Sequence, residues 1–179
     1  MSDRSPLTTL YPANLAALIM ANFNSIVLDY AARTAIGGTD LSYFYLKQFP
    51  VLAPEKYLEK SSCGLPWVEW IVPRVLELTY TSEEMRGFAE ELGYQGDPFP
   101  WDEHRRHNLQ SELDAIFAHM YGLTRADLEW ILDAESPSVS FPSLKQNEIR
   151  KFGEYRTQRL VLQVFDSLAS GLYPSASSQ

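Results

Sequence analysis

The chain predicts a mainly α fold, with one or two short strands or extended segments. Three observations lead there. Apolar residues recur at three- and four-residue spacing over most of the 179 residues, the period of a helix with one buried face. Glycine, proline and serine cluster at a few places that punctuate those stretches. Hydrophobic residues make up 45% and charged residues 21%, enough apolar material for a folded domain rather than a disordered tail.

Taken in order, Leu15, Leu18, Ile19, Phe23, Ile26, Val27 and Tyr30 form one stripe, which predicts a single helix of about six turns over residues 13–34. Gly37 and Gly38 end it, because glycine accepts the left-handed conformation that helix ends favour. Thr39 or Asp40 then caps a short second helix bearing Leu41, Phe44 and Tyr45. Pro50 pushes Phe49 into an extended conformation, and an extended segment or short strand continues to Pro54. The Ser- and Gly-containing loop over 55–66 is the natural boundary, giving a unit of residues 1–60 and an acidic helical unit of residues 61–179.

Beyond it, residues 67–78 read as a helix in which Pro73 either lies near the first turn or makes a kink. Ser82 starts a helix reaching Gly93, and "GYQGDPFPW" is a turn. Asp102 opens an amphipathic helix with Leu109, Leu113, Ile116, Phe117 and Met120, which Gly122 ends. Thr124 and Asp127 match a capping box before Leu128, Ile131 and Leu132. After the loop "ESPSVSFPS", a final helix runs from Lys145 or Gly153 to Leu168.

Charge is uneven. Residues 1–60 hold five basic and five acidic side chains, residues 61–142 hold five against fifteen, and residues 143–179 hold five against three. A nucleic-acid binder is usually basic throughout, so the acidic middle speaks against a broad nucleic-acid surface. Lys145, Arg150, Lys151, Arg156 and Arg159 are the exception. Cys63 is the lone cysteine, which excludes an internal disulfide and suits a reducing, cytoplasmic setting. No apolar run has membrane-spanning length, and the first residues lack the pattern of a signal peptide.

Catalytic signals are sparse. His104 and His107 sit three apart beside Glu103, but no third ligand declares itself, so no metal site is expected. Cys63 has no paired histidine, and the serines lack a glycine-framed elbow. There is no dinucleotide or phosphate-binding glycine loop. Neither an enzyme nor a cofactor site is expected.

One stretch is distinctive. "LAALIMANFNSIVLDYAARTAIGGTDLSYFYLKQFPVLAP" resembles the end of the target-recognition region of large adenine-specific DNA methyltransferases. These act in restriction–modification and phage-defence systems and include fused restriction–methylation enzymes. The matching residues are Asn22, Asn24, Ser25, Asp29, Tyr30 and Arg33, then Gly37, Gly38, Thr39, Leu41, Phe44, Lys47, Gln48, Pro50 and Val51. "LELTYTSEEM", "DPFPWDEHRRHNLQSELDAIFAHMYGLTRADLEWIL" and "GEYRTQRLVLQVFDSL" are similar to the tail of such enzymes. The asparagine-proline-proline-aromatic motif that positions the target adenine is missing, as is the S-adenosylmethionine loop.

The resemblance thus implies a non-catalytic recognition and scaffold module whose partners are a methyltransferase-domain chain or domain and double-stranded DNA. Thr39, Ser42, Lys47, Gln48, Arg156 and Arg159 are the candidate DNA contacts, and Gly37 and Gly38 the structural turn. On physical grounds Thr39 and Ser42 can donate to phosphate, Lys47 supplies charge, and Gln48 can read an adenine edge. Leu41, Phe44 and Val51 read as packing residues, and Arg156 with Arg159 as partners for the acidic middle. The competing reading is an acidic helical protein-interaction module that never touches nucleic acid.

Overall fold

A computed structural model describes residues 11–36, 42–133 and 141–172. Within them lie α1 (Ala13–Phe23), α2 (Ile26–Ala35), the single-turn α3 (Tyr43–Leu46), α4 (Trp67–Thr79), α5 (Arg86–Glu91), α6 (Glu103–Met120), α7 (Arg125–Asp133), α8 (Pro142–Phe152) and α9 (Arg156–Ala169). Short 3-10 turns cover Pro54–Leu58 and Glu83–Met85. No strand occurs among the described residues. A lone antiparallel bridge joins Lys60 to Pro66, while residues 51–53 belong to no strand and Ala53 is extended before Pro54. The mainly α class is what the apolar periodicity predicts.

The expected six-turn first helix is in fact two, meeting at 60°. Ser25 causes the break. It takes an extended backbone and its hydroxyl accepts the Leu28 N–H at 3.3 Å, so it caps α2 rather than continuing α1. The next free amide, that of Ile26, donates to Asp114 Oδ1 on α6 at 2.8 Å. The stripe that looked continuous therefore divides, and Phe23 is left exposed. Of the two starts expected for the final helix, the later one holds: Gly153 stands in the left-handed region (φ 77°) and closes α8, and α9 begins just beyond it.

Other elements form where local chemistry places them. Asp102 accepts the Arg105 N–H at 2.9 Å and starts α6. Thr124 and Asp127 exchange bonds across the first turn of α7, at 2.9 and 3.2 Å. Pro73 sits mid-helix in α4 on the water side, where the bond it cannot make costs least. The expected helix from Ser82 begins instead as the 3-10 turn before α5.

The core is built around α6, which packs against α4 and α9, while α1 lies on α4 and α2 on α6. One buried cluster extends from Ala17 through Trp70, Ile71, Ile116 and Phe117 to Phe165 and Leu168. It crosses the loop proposed as a boundary, since α1 contributes Ala17, Leu18 and Ala21 beside α4's Trp67 and Val75. A smaller cluster of Leu76, Tyr80 and Ala89 is closed by the "GYQGDPFP" turn, with Tyr94 stacked on Phe99 at 5.0 Å. Across α4 and α6, buried Arg74 pairs with Glu112 at 2.6 Å and donates to the Trp70 carbonyl. The helices α6 and α9 run in the same direction: His107 lies near Glu148, which binds the start of α9 at Thr157, and His119 stacks on Phe165 at 3.9 Å.

Asn22, fully buried in α1, ties these layers together. Its Nδ2 donates to the Tyr121 hydroxyl at 2.8 Å, and its Oδ1 accepts from Leu52 N–H at 3.1 Å and Tyr57 O–H at 3.5 Å. Replacing Asn22 with Ala strands the Leu52 N–H and the Tyr57 hydroxyl and removes the donor to Tyr121, so we expect a loss of about 2–4 kcal/mol in urea unfolding. A loss within about 0.5 kcal/mol would show that water takes over these bonds.

Candidate functional site

The surface singled out by the sequence is α3 and the residues after it. Gly37, Gly38, Thr39 and Leu41 lie outside the described residues. Ser42 is half-buried and makes no side-chain cap to α3. Lys47 and Gln48 are exposed, as their proposed contact role requires, but the packing role expected of Phe44 does not hold. Phe44 is 70% exposed and Tyr43 48%, and α3 has no buried residue. Phe44 meets Tyr45 edge-on at 5.5 Å, a contact within the turn rather than with the core. A helix of four residues cannot orient a full apolar face inward, and the prolines that follow turn the chain away.

This exposed turn is held from behind. The Pro50 carbonyl accepts the Tyr121 hydroxyl at 2.8 Å, and Leu52 N–H donates to Asn22. Gln48 Nε2 donates to the Phe44 carbonyl at 3.0 Å, closing the turn's own end. That leaves the Gln48 carbonyl oxygen and the Lys47 ammonium facing solvent.

The C-terminal cations are arranged differently from expectation. Arg159 makes a two-pronged pair with Glu154, at 2.9 and 3.0 Å, rather than with the acidic middle. The near sequence neighbour wins because holding it orders little extra chain. Lys145 does pair with Asp133 of the middle region, and Lys151 lies 3.9 Å from Glu103. Arg156 rests over the Phe152 ring at 5.4 Å and has no ion pair among the described residues. The two candidate patches are not brought together. Tyr121, just past α6, anchors the α3 side, whereas His107 near its start faces the α8–α9 side, and fourteen helical residues span roughly 21 Å.

The fold also holds a feature that the sequence reading missed. A cavity of about 470 Å³ opens where the α1–α2 elbow meets α4, α6 and α8. Its walls combine apolar Met20, Val75, Leu78, Phe141 and Leu144 with polar His107, Gln110, Ser111, Asp114, Glu148 and Thr157. Buried Glu148 is fully engaged: its carboxylate accepts the Thr157 N–H at 2.8 Å and hydroxyl at 2.6 Å. His107 Nε2 lies 3.8 Å from Glu148 Oε1 and has no hydrogen-bond partner. Burial, then the nearby Arg156 charge, hold this imidazole below its usual range, so it is neutral near pH 7.

Asp114 is half-buried in the cavity wall. Burial raises its carboxyl from the ordinary 3.8 to about 7, against the Ile26 N–H bond that favours the charged form. A signal for this site does exist in the sequence. His107, Gln110, Ser111 and Asp114 recur at helical spacing beside the apolar stripe of α6, a polar face that charge counting merges into the acidic middle. Among the described residues no group of histidine, cysteine and carboxylate ligands has the arrangement of a metal site, and no single helix is long and apolar enough to cross a membrane. No protein-family model matches the chain, and no match was found among curated proteins or solved structures.

Asp114 sets a pH dependence. Its folded-state pKa lies above the unfolded value, so its favourable contribution is complete below about pH 4 and is lost as pH rises to about 7. Asp114→Asn keeps an acceptor for Ile26 without the charge. The variant should match wild type near pH 4 and exceed its stability by about 1–3 kcal/mol at pH 8. Thermal unfolding of both proteins across this range checks it. A difference that does not grow with pH would remove Asp114 as its source.

Proposed function

We propose that this chain is a non-catalytic recognition and scaffold module of an adenine-specific DNA methyltransferase or restriction–modification system. The observation that carries the reading is the exposure of α3. Of the residues that carry the resemblance, Phe44, Lys47 and Gln48 face outward beside Tyr43, with buried Asn22 and half-buried Tyr121 clamping the chain behind them. Exposed aromatics beside a cation suit contact with another macromolecule better than folding. In this reading Phe44 and Tyr43 pack on the methyltransferase-domain partner or sit against sugar and base edges, while Lys47 meets phosphate. Arg156, free of ion pairs among the described residues, is the second cationic contact. Arg159 serves by fixing Glu154 at the start of α9.

A second reading has its own support. The short α5 exposes Glu90 and Glu91, which form no ion pair among the described residues, beside Glu84. Such a surface suits a basic protein partner and repels DNA.

Fluorescence anisotropy with a labelled duplex separates the two. The recognition reading expects weak binding at low salt, with Kd of the order of 10⁻⁵ M. Lys47→Ala should weaken it and make the salt slope shallower by about one. Absence of any binding at low salt, together with no complex with a methyltransferase-domain chain, would defeat the recognition reading. Binding of a basic protein that Glu90→Gln and Glu91→Gln abolish would establish the second.

A further inference from the structure

The cavity beside α6 has the make-up of a ligand site, and its chemistry limits what it can hold. Its volume, about 470 Å³, is in the range of pockets that take small organic molecules. Apolar Met20, Val75, Leu78, Phe141 and Leu144 supply most of the contact surface. The polar groups differ sharply in how fully they are used. Glu148 has both oxygens occupied by Thr157, and Asp29 is held in a two-pronged pair by Arg33 at 2.9 and 3.0 Å. The Arg106 guanidinium donates to the Leu78 carbonyl at 2.8 Å and lies over the Trp101 ring at 3.8 Å. Ser111 donates to the His107 carbonyl at 2.9 Å, and Asn24 to the Met20 carbonyl at 2.8 Å.

The His107 Nε2 has no hydrogen-bond partner, but Asp114 is the acidic group of the wall left partly unused. Its Oδ1 accepts the Ile26 N–H, and its Oδ2 accepts no hydrogen bond among the described residues. A carboxylate oxygen with unused capacity, set in largely apolar walls, favours a donor that brings positive charge. An anion would meet Asp114, Asp29 and Glu148 together, with Arg106 already committed elsewhere.

We propose that this cavity is a binding site for a small organic cation, an ammonium or amidinium group on an apolar body, which donates to Asp114 while its body lies against Met20, Leu78, Phe141 and Leu144. The site is independent of the DNA-recognition reading and uses none of its candidate DNA contacts. Charged and titratable groups around Asp114 come from each flanking element: Asp29 of α2, Arg106 and His107 of α6, Glu148 of α8 and Tyr155 before α9. Thr157 is the α9 contribution, and the lining residues of α1 and α4 are uncharged. Burial raises the Asp114 carboxyl to about 7. Proton and ligand therefore compete for it.

The test is an amide-resolved NMR titration of the whole chain with phenethylamine and with benzamidine, and with benzyl alcohol as a neutral aromatic. Saturable shifts at Ile26, Ser111, Asp114 and Phe141 are expected for both cations, and at least about tenfold weaker binding for the alcohol. Asp114→Asn should weaken the cations by about tenfold or more while keeping a folded spectrum. Leu144→Trp, which fills the cavity without touching the carboxylate, should abolish binding of all three. Lowering the pH from 8 to 6 should weaken the cations about tenfold, since both stay charged while Asp114 takes up its proton. Equal affinity for cation and alcohol, no loss in Asp114→Asn, or no saturable shift with either cation would overturn the proposal.

Discussion

The fold depends on one buried amide. Asn22 sits a turn before the α1–α2 break, fully enclosed, and its two ends face different parts of the chain. Its nitrogen reaches Tyr121 after α6, and its oxygen reaches Leu52 and Tyr57 in the segment after α3. Apolar contacts are non-directional and would tolerate that segment at many heights along α1 and α6. The amide does not, because a misplaced segment leaves buried donors without acceptors. Tyr121 extends the constraint outward by donating to Pro50. The exposed turn that carries Lys47 and Gln48 is therefore positioned by bonds made beneath it. Asn22, Asp29 and Arg33, matched to the methyltransferase pattern as sequence, have clear structural work: a buried junction for the first and an ion pair at 2.9 Å for the other two.

Much of the architecture was legible from periodicity and caps. Asp102, Thr124, Asp127 and Gly122 mark ends of α6 and α7 because the capping groups act within a few residues. The break at Ser25 was not legible. An apolar stripe runs through it, and the acceptor that stabilises the new helix start, Asp114, lies 88 residues away. Phe44 was misread for the opposite reason. A local pattern of apolar residues says which side chains prefer to be buried, but a single-turn helix between a glycine pair and Pro50 has no long face to bury. The cavity combines both difficulties. Its polar face has helical spacing within α6, yet its walls come from six helices.

The acidic middle looks different once folded. Glu112 is joined to buried Arg74, Glu77 takes a two-pronged pair from Arg105 at 2.7 and 2.8 Å, and Asp114 faces the cavity. These carboxylates serve contacts between helices rather than a solvated face. The surplus that remains outside is concentrated around α5. The molecule thus separates its charges by position: acid around α5, cations at α3 and at the α8–α9 junction, and a clamp of neutral polar groups between.

The shared direction of α6 and α9 has a further consequence, which concerns the order of synthesis. Two neighbouring helices running the same way need a long connection, here filled by α7 and α8. Val161, Phe165 and Leu168, which complete the core, emerge from the ribosome after every residue they cover. Until they arrive, α6 presents an apolar flank with nothing against it, and such a flank invites contact with other nascent chains. Retention by a chaperone, or early engagement by a partner, would be most valuable during that interval.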